Sequence, residues 1–150
     1  MILAALAHAA PICAPVTLAP RAVQVGIESH GRTLGGEAIL FAEDGVFSLT
    51  LLGPGGVEMF TADGVGVTTP IDSWRPFLQV LPVQRDLALL FTQWEGEACW
   101  TGTAVMKLKN GERRWRGEGG PARATVLGNR WTLVDRRRAY TLKLVVPDAT

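Results

Sequence analysis

Few residues of this chain are of a type and spacing that would run a reaction. It holds two histidines: His8 lies in an apolar N-terminal stretch, and His30 stands beside Gly31 at a strand end, the place of an exposed turn residue. Gly-x-Ser-x-Gly and His-Glu-x-x-His are absent from the sequence, as is a glycine-rich loop ahead of a helix that would cradle a phosphate. Acidic residues are scattered singly, so no carboxylate pair is set up for acid–base work, and no His/Cys/Asp/Glu cluster suggests a metal site. The expectation is a protein that is not an enzyme and uses neither cofactor nor metal.

Positive charge gathers in two places, Arg113-Arg114-x-Arg116 and Arg136-Arg137-Arg138. The plain reading is hairpin ends and solvated strand faces. The functional reading makes Arg136, Arg137 and Arg138 a patch for anionic headgroups, each basic residue contributing about 1 kcal/mol near such a surface. A net charge of +1 gives no overall pull towards nucleic acid, which is not expected as a partner. Cys13 and Cys99 are too few for a disulfide framework or a structural zinc. Cys13 stands where a lipoprotein carries its acylated cysteine, although Ile12 departs from the small residue a lipobox has there. A free thiol at Cys99 and a Cys13–Cys99 bridge in an exported, unacylated chain are the other readings.

These residues need elements to position them. Residues 1–20 are apolar and alanine-rich, and Ala7-His8-Ala9 fits a small-x-small cleavage site, though a basic leading region is missing. An export or lipoprotein signal remnant, or an uncleaved arm, is expected over 1–20, and a single domain over 21–150. No apolar run reaches the roughly 18 residues of a membrane-spanning helix.

The stretch from Asp72 to Trp94 carries helical period: Trp74, Phe77, Leu78 and Leu81, then Val83, Leu87, Leu90, Phe91 and Trp94. Asp72 or Ser73 is placed to cap the first helix, and Pro82 ends it while suiting the first turn of the next. Two short helices with an elbow at Leu81-Pro82 follow. Elsewhere the period is two. Val23, Val25 and Ile27 share a face, as do Phe47, Leu49 and Leu51, and as do Tyr140, Leu142, Leu144 and Val146. Residues 98–109 read as one alternating strand, and Asn110-Gly111 as the strongest hairpin signal. Trp100 and Trp115 are then expected to meet across that hairpin. The count is about nine or ten strands, with the helices inserted after the fifth. The fold class is mainly β: an open, unclosed antiparallel barrel with a two-helix lid.

Phe47-Ser-Leu-Thr-Leu-Leu-Gly-Pro-Gly-Gly, followed by strands and then Pro76-Phe-Leu-Gln-Val-Leu-Pro, resembles the bacterial lipoprotein-localisation (LolA/LolB-like) superfamily. Leu51, Gly53, Pro54 and Gly56 match its Leu-x-Gly-Pro-x-Gly strand end, and Leu81-Pro82 falls in a comparable place. The likeness spans roughly Val23 to Trp94. It implies an unclosed barrel with a helical lid, an apolar cavity for acyl chains, and residence in the periplasm or on the inner face of the outer membrane. The short turns at Gly55-Gly56 and Asp63-Gly64 leave no counterpart of the protruding apolar loop of the outer-membrane receptor.

The functional expectation is a carrier or receptor of the cell envelope that binds a lipid or lipoprotein. Phe47, Leu49, Leu51, Trp74, Phe77, Leu78, Leu81, Leu87, Leu90 and Phe91 would line its cavity. Its partners would be an acyl chain, a lipid or a lipoprotein, with peripheral or lipid-anchored membrane association. The alternative is an accessory lipoprotein of an envelope assembly, packed solid and binding protein at its edges.

Overall fold

A computed structural model describes residues 11–147, so the Ala7-His8-Ala9 site lies outside the described residues. The period-two segments become eleven strands: β1 (Leu18–Ser29), β2 (Arg32–Glu43), β3 (Val46–Leu52), β4 (Glu58–Ala62), β5 (Val67–Thr68), β6 (Ala98–Trp100), β7 (Ala104–Lys109), β8 (Glu112–Gly117), β9 (Ala122–Leu127), β10 (Arg130–Asp135) and β11 (Tyr140–Val145). Two helices, α1 (Arg75–Leu78) and α2 (Val83–Phe91), fall between β5 and β6 in chain order. All strands join one antiparallel sheet in the order β5-β4-β3-β2-β1-β11-β10-β9-β8-β7-β6, with β5 and β6 at its two ends, so the sheet is not closed. Two meanders thus run outwards from a central β1–β11 pairing, where Val25 lies opposite Leu144.

Short turns set the registers. Asp44-Gly45 and Asn110-Gly111 are two-residue hairpin loops in which both residues hold positive φ (50° and 83°, 55° and 76°). That conformation matches the twist of the flanking strands, and Asn, Asp and Gly tolerate it best. The expected single strand over 98–109 is instead two, which lifts the count above the nine or ten expected. At Thr101 the backbone N–H and the hydroxyl both donate to the Ala104 carbonyl (2.7 and 3.0 Å), and Gly102 takes φ +95°, folding the chain back. Trp100 therefore faces Val105 and Trp115 faces Met106, so the two tryptophans do not meet.

One face of the sheet is largely apolar. Val23, Val25, Ile27, Leu40, Phe47, Leu49, Leu51, Leu133, Leu142 and Leu144 are buried there in one cluster with the helices. The elbow at Leu81-Pro82 stands where expected, but the helices are unequal. α1 is a single turn that starts at Arg75 with no side-chain cap; the Asp72 carboxylate accepts from Arg75 instead. α2 begins after Pro82 and ends before Trp94, and none of its residues is exposed. It contacts β3 on one side and β8, β9 and β10 on the other. A helix buried on nearly every side belongs to the interior of a fold.

The segment before β1 is pinned at both ends. Cys13 is bonded to Cys99 (Cα–Cα 5.1 Å), and its N–H donates to the Trp100 carbonyl. Four residues on, the Thr17 hydroxyl accepts from the Asp44 N–H in the β2–β3 turn (3.2 Å). A sulfur bonded to Cys99 has no thiol left to acylate, which corrects the expectation of a lipid on Cys13. Because β1 starts at Leu18, the boundary expected between residues 20 and 21 falls inside a strand. No helix among the described residues is long and apolar enough to cross a membrane.

Candidate functional site

The junction between α2 and the sheet concentrates the polar groups that the interior contains. α2 forms because Val83, Leu87, Leu90 and Phe91 recur at helical spacing, yet Gln84, Arg85 and Asp86 in its first turn are polar. Each reaches a different part of the sheet. The Gln84 carboxamide accepts from the Phe47 N–H (2.8 Å) and donates to the Phe47 carbonyl (2.6 Å) and the Asp63 carbonyl (3.0 Å). The β3–β4 ladder reaches only to Leu49 opposite Ala62, so the amide satisfies the Phe47 backbone groups that a longer β4 would have paired.

Arg85 makes the opposite grip. Its guanidinium donates to Asp86 (2.7 and 3.0 Å), to Asp135 (2.7 Å), to the Tyr140 hydroxyl (3.0 Å), and to the carbonyls of Gly119 (2.8 Å) and Gly120 (3.0 Å). The Tyr140 hydroxyl in turn donates to Asp86 (2.5 Å). Arg85, Asp86, Asp135 and Tyr140 are all nearly inaccessible to solvent. Two carboxylates share one buried guanidinium, with Arg138 completing Asp135 through its N–H (2.9 Å) and its Nη1 (3.0 Å). Burial pushes the Asp86 carboxyl up to about 6, against the pull of Arg85 and the Tyr140 hydroxyl. Burial pushes Asp135 the same way, but its bonds from Arg138 and Arg85 prevail and hold it below the usual carboxylate range. Burial also raises the Tyr140 phenol, with the adjacent Asp86 charge adding to it.

The far end of α2 is held by Arg113, whose Nη1 donates to the carbonyls of Leu89 (3.0 Å), Leu90 (2.8 Å) and Thr92 (3.3 Å) while its guanidinium lies 4.8 Å over the Trp94 ring. A cation there complements the helix C-terminus and its unpaired carbonyls. No buried side-chain nitrogen or oxygen among the described residues lacks a hydrogen-bond partner. With every group bonded, this network holds an element in place. No group of three or more His, Cys, Asp and Glu among the described residues is placed to hold a metal.

The ten apolar residues expected to line a cavity do come together. Phe77 is half-buried and the other nine are buried, all in the same cluster. Aromatic contacts tie them to the sheet: Phe77 meets Tyr140 edge-on at 5.9 Å, and Phe91 lies between Phe47 (6.2 Å) and Trp131 (4.6 Å). Among the ten, Leu81 also lines a surface cleft of about 540 Å³, between the start of α2, the β4–β5 turn and the β8–β9 turn. The expected headgroup patch is corrected in part. Arg138 points inwards to Asp135 and to the Gly119 carbonyl (2.6 Å), while Arg136 and Arg137 are exposed.

Sequence reasoning missed Arg85, Asp86, Asp135 and Tyr140 as one group. The available signal was three consecutive polar residues opening a helix that is otherwise apolar. No protein-family profile matches the chain, and no curated protein matches it.

Proposed function

We propose that this chain is a non-enzymatic cell-envelope protein that binds a lipid or the acyl part of a lipoprotein between its sheet and its helices. In this reading the sheet curls into an unclosed barrel, α1 closes its mouth and α2 occupies its interior. The single observation that carries it is the reach of α2, a nine-residue helix that touches β3 and β8. Those strands stand six places apart in the sheet order, roughly 29 Å if the sheet were flat, against a helix about 10 Å across. The tether from Cys13 to Thr17 supports the same curl, because four residues span at most about 14 Å while β6 and β2 lie seven places apart. The apolar volume inside such a curl is filled by a short helix on two loops, fixed by hydrogen bonds and ion pairs and flanked at its start by a surface cleft. Displacing α2 would free apolar surface for an acyl chain. The Cys13–Cys99 bond is compatible with an oxidising, exported setting.

The completeness of the packing favours a second reading, an accessory envelope protein with a solid interior: Leu78, Leu87, Leu89 and Leu90 are 0% exposed. Titration with a fluorescent fatty acid separates the two. The carrier reading expects saturable binding that Phe77→Asp, at a half-buried position, abolishes while the fold survives. Absence of binding by the wild-type chain supports the accessory reading.

A further inference from the structure

We propose that the outer side of β7–β10, together with the β6 edge, is a docking surface for a membrane containing anionic phospholipid. The register carries the first half of the argument. Lys107 lies directly opposite Arg114, and Arg114 directly opposite Arg123, so three cations form an unbroken row across β7, β8 and β9. Their strand neighbours Met106, Trp115, Ala122 and Ala124 are buried, which places the row on the side away from the core. Arg116, Arg136 and Arg137 join the row in lining a cleft of about 500 Å³. Like charges directly across an antiparallel pair destabilise it. Folding alone favours alternating sign, as in β1 and β11, where Glu28 accepts from Lys143 at 3.3 Å. Among the described residues, Arg114 is the one member of these six with an acidic partner, Glu112 at 3.0 Å. The chain's net charge is only +1, so this is a local concentration and not a general basic character.

The second half comes from the edge. Trp100 is opposite Val105, and Ile12 bridges to Trp100 in parallel, so both side chains share the side of the cationic row. Ile12 is 84% and Trp100 47% exposed. An indole at headgroup depth, an aliphatic side chain beside it and long cationic chains reaching for phosphate are the parts of an interfacial contact. Ile12 adds apolar area without a stacking face, which favours a lipid surface over a nucleic acid. This surface lies on the other side of the sheet from the helices and does not depend on the acyl-chain reading.

Flotation with vesicles tests it, using phosphatidylcholine alone and a phosphatidylcholine–phosphatidylglycerol mixture. The full chain is expected to float only with the mixture, and less as salt is raised. Lys107→Gln/Arg123→Gln should weaken binding roughly 25-fold, at about fivefold per basic residue, and Arg116→Gln/Arg136→Gln is a second pair, both members exposed, should the first misfold. Trp100→Ser should weaken binding at every salt concentration with the salt dependence unchanged. Any of these results would overturn the proposal: no flotation with the mixture, equal flotation with both vesicles, wild-type binding by the folded charge variants, or displacement from vesicles by equivalent inorganic phosphate. Tighter binding to a single-stranded oligonucleotide than to vesicles would also overturn it, in favour of a nucleic-acid surface. Fatty-acid titration of the charge variants keeps this question apart from the first: they should bind the probe as the wild type does if the carrier reading holds.

Discussion

Helix α2 is held on its two sides by different chemistry. Towards β3 the grip is a neutral carboxamide that imitates a strand residue, meeting only backbone groups of Phe47 and Asp63. Towards β10 and β11 it is a buried guanidinium shared by two carboxylates and a phenol. The neutral side exchanges backbone–water bonds for backbone–amide bonds at small net gain. On the charged side, desolvation of three charges offsets most of their attraction, so net stabilisation is modest while the loss of one member is severe. Arg85 thus fixes the start of α2 against β10, β11 and the β8–β9 turn, and Gln84 fixes it against β3. A helix located by ion pairs has one strongly preferred seat and still sits among groups that water can resolvate if it leaves.

Breaking the charged side should have the largest effect. Arg85→Met leaves Asp86 buried without a cation and Asp135 with Arg138 alone, and is expected to cost about 3–5 kcal/mol in urea unfolding. Replacing Asp86 and Asp135 by Leu and Tyr140 by Phe in the same chain should return part of that loss, because apolar groups of similar size need no partner. Next comes the disulfide, which closes a loop of 86 residues: Cys13→Ala/Cys99→Ala should lower stability by about 2–4 kcal/mol. The neutral side should be milder. Gln84→Ala strands two backbone groups of Phe47 where water can partly reach them, an expected cost of about 1–2 kcal/mol by the same unfolding measurement.

The two carboxylates on the charged side also differ in their dependence on pH. Asp86 binds its proton more tightly folded, at about 6, than unfolded, near 3.8, so its contribution is complete below the unfolded value and is lost as pH rises through about 6. Asp135, held below the usual range, works the other way and loses its contribution only as pH falls beneath 3.8. The difference in melting temperature between wild type and Asp86→Asn should therefore change between pH 4 and pH 6, with the wild type losing ground as pH rises. A constant difference across that window would show that the Arg85 charge holds Asp86 ionised throughout.

Much of the frame was legible in the sequence because it depends on local rules. The alternation in β3 and β11, the Asn110-Gly111 turn and the elbow at Leu81-Pro82 are each decided by residues a few positions apart. The reversal at Thr101-Gly102-Thr103 was not, since alternation reads the same through a tight turn as along one strand. The grips of α2 were hidden for another reason. Arg85 and Asp135 are fifty residues apart, and only the pairing of β10 with β11 brings Asp135 beside Tyr140. The cationic row depends likewise on register: Lys107, Arg114 and Arg123 belong to three separate strands, whereas the obvious run at Arg136–Arg138 turns one member inwards.

The carrier reading requires that the space between sheet and helices accept an acyl chain when α2 moves. Native mass spectrometry of the protein purified from its own cells, before and after solvent extraction, tests it most directly. The account predicts an added mass that matches an acyl chain or lipid and disappears on extraction. A spectrum holding only the bare chain, from a protein that also fails to take up added fatty acid, would contradict it and leave a solid scaffold.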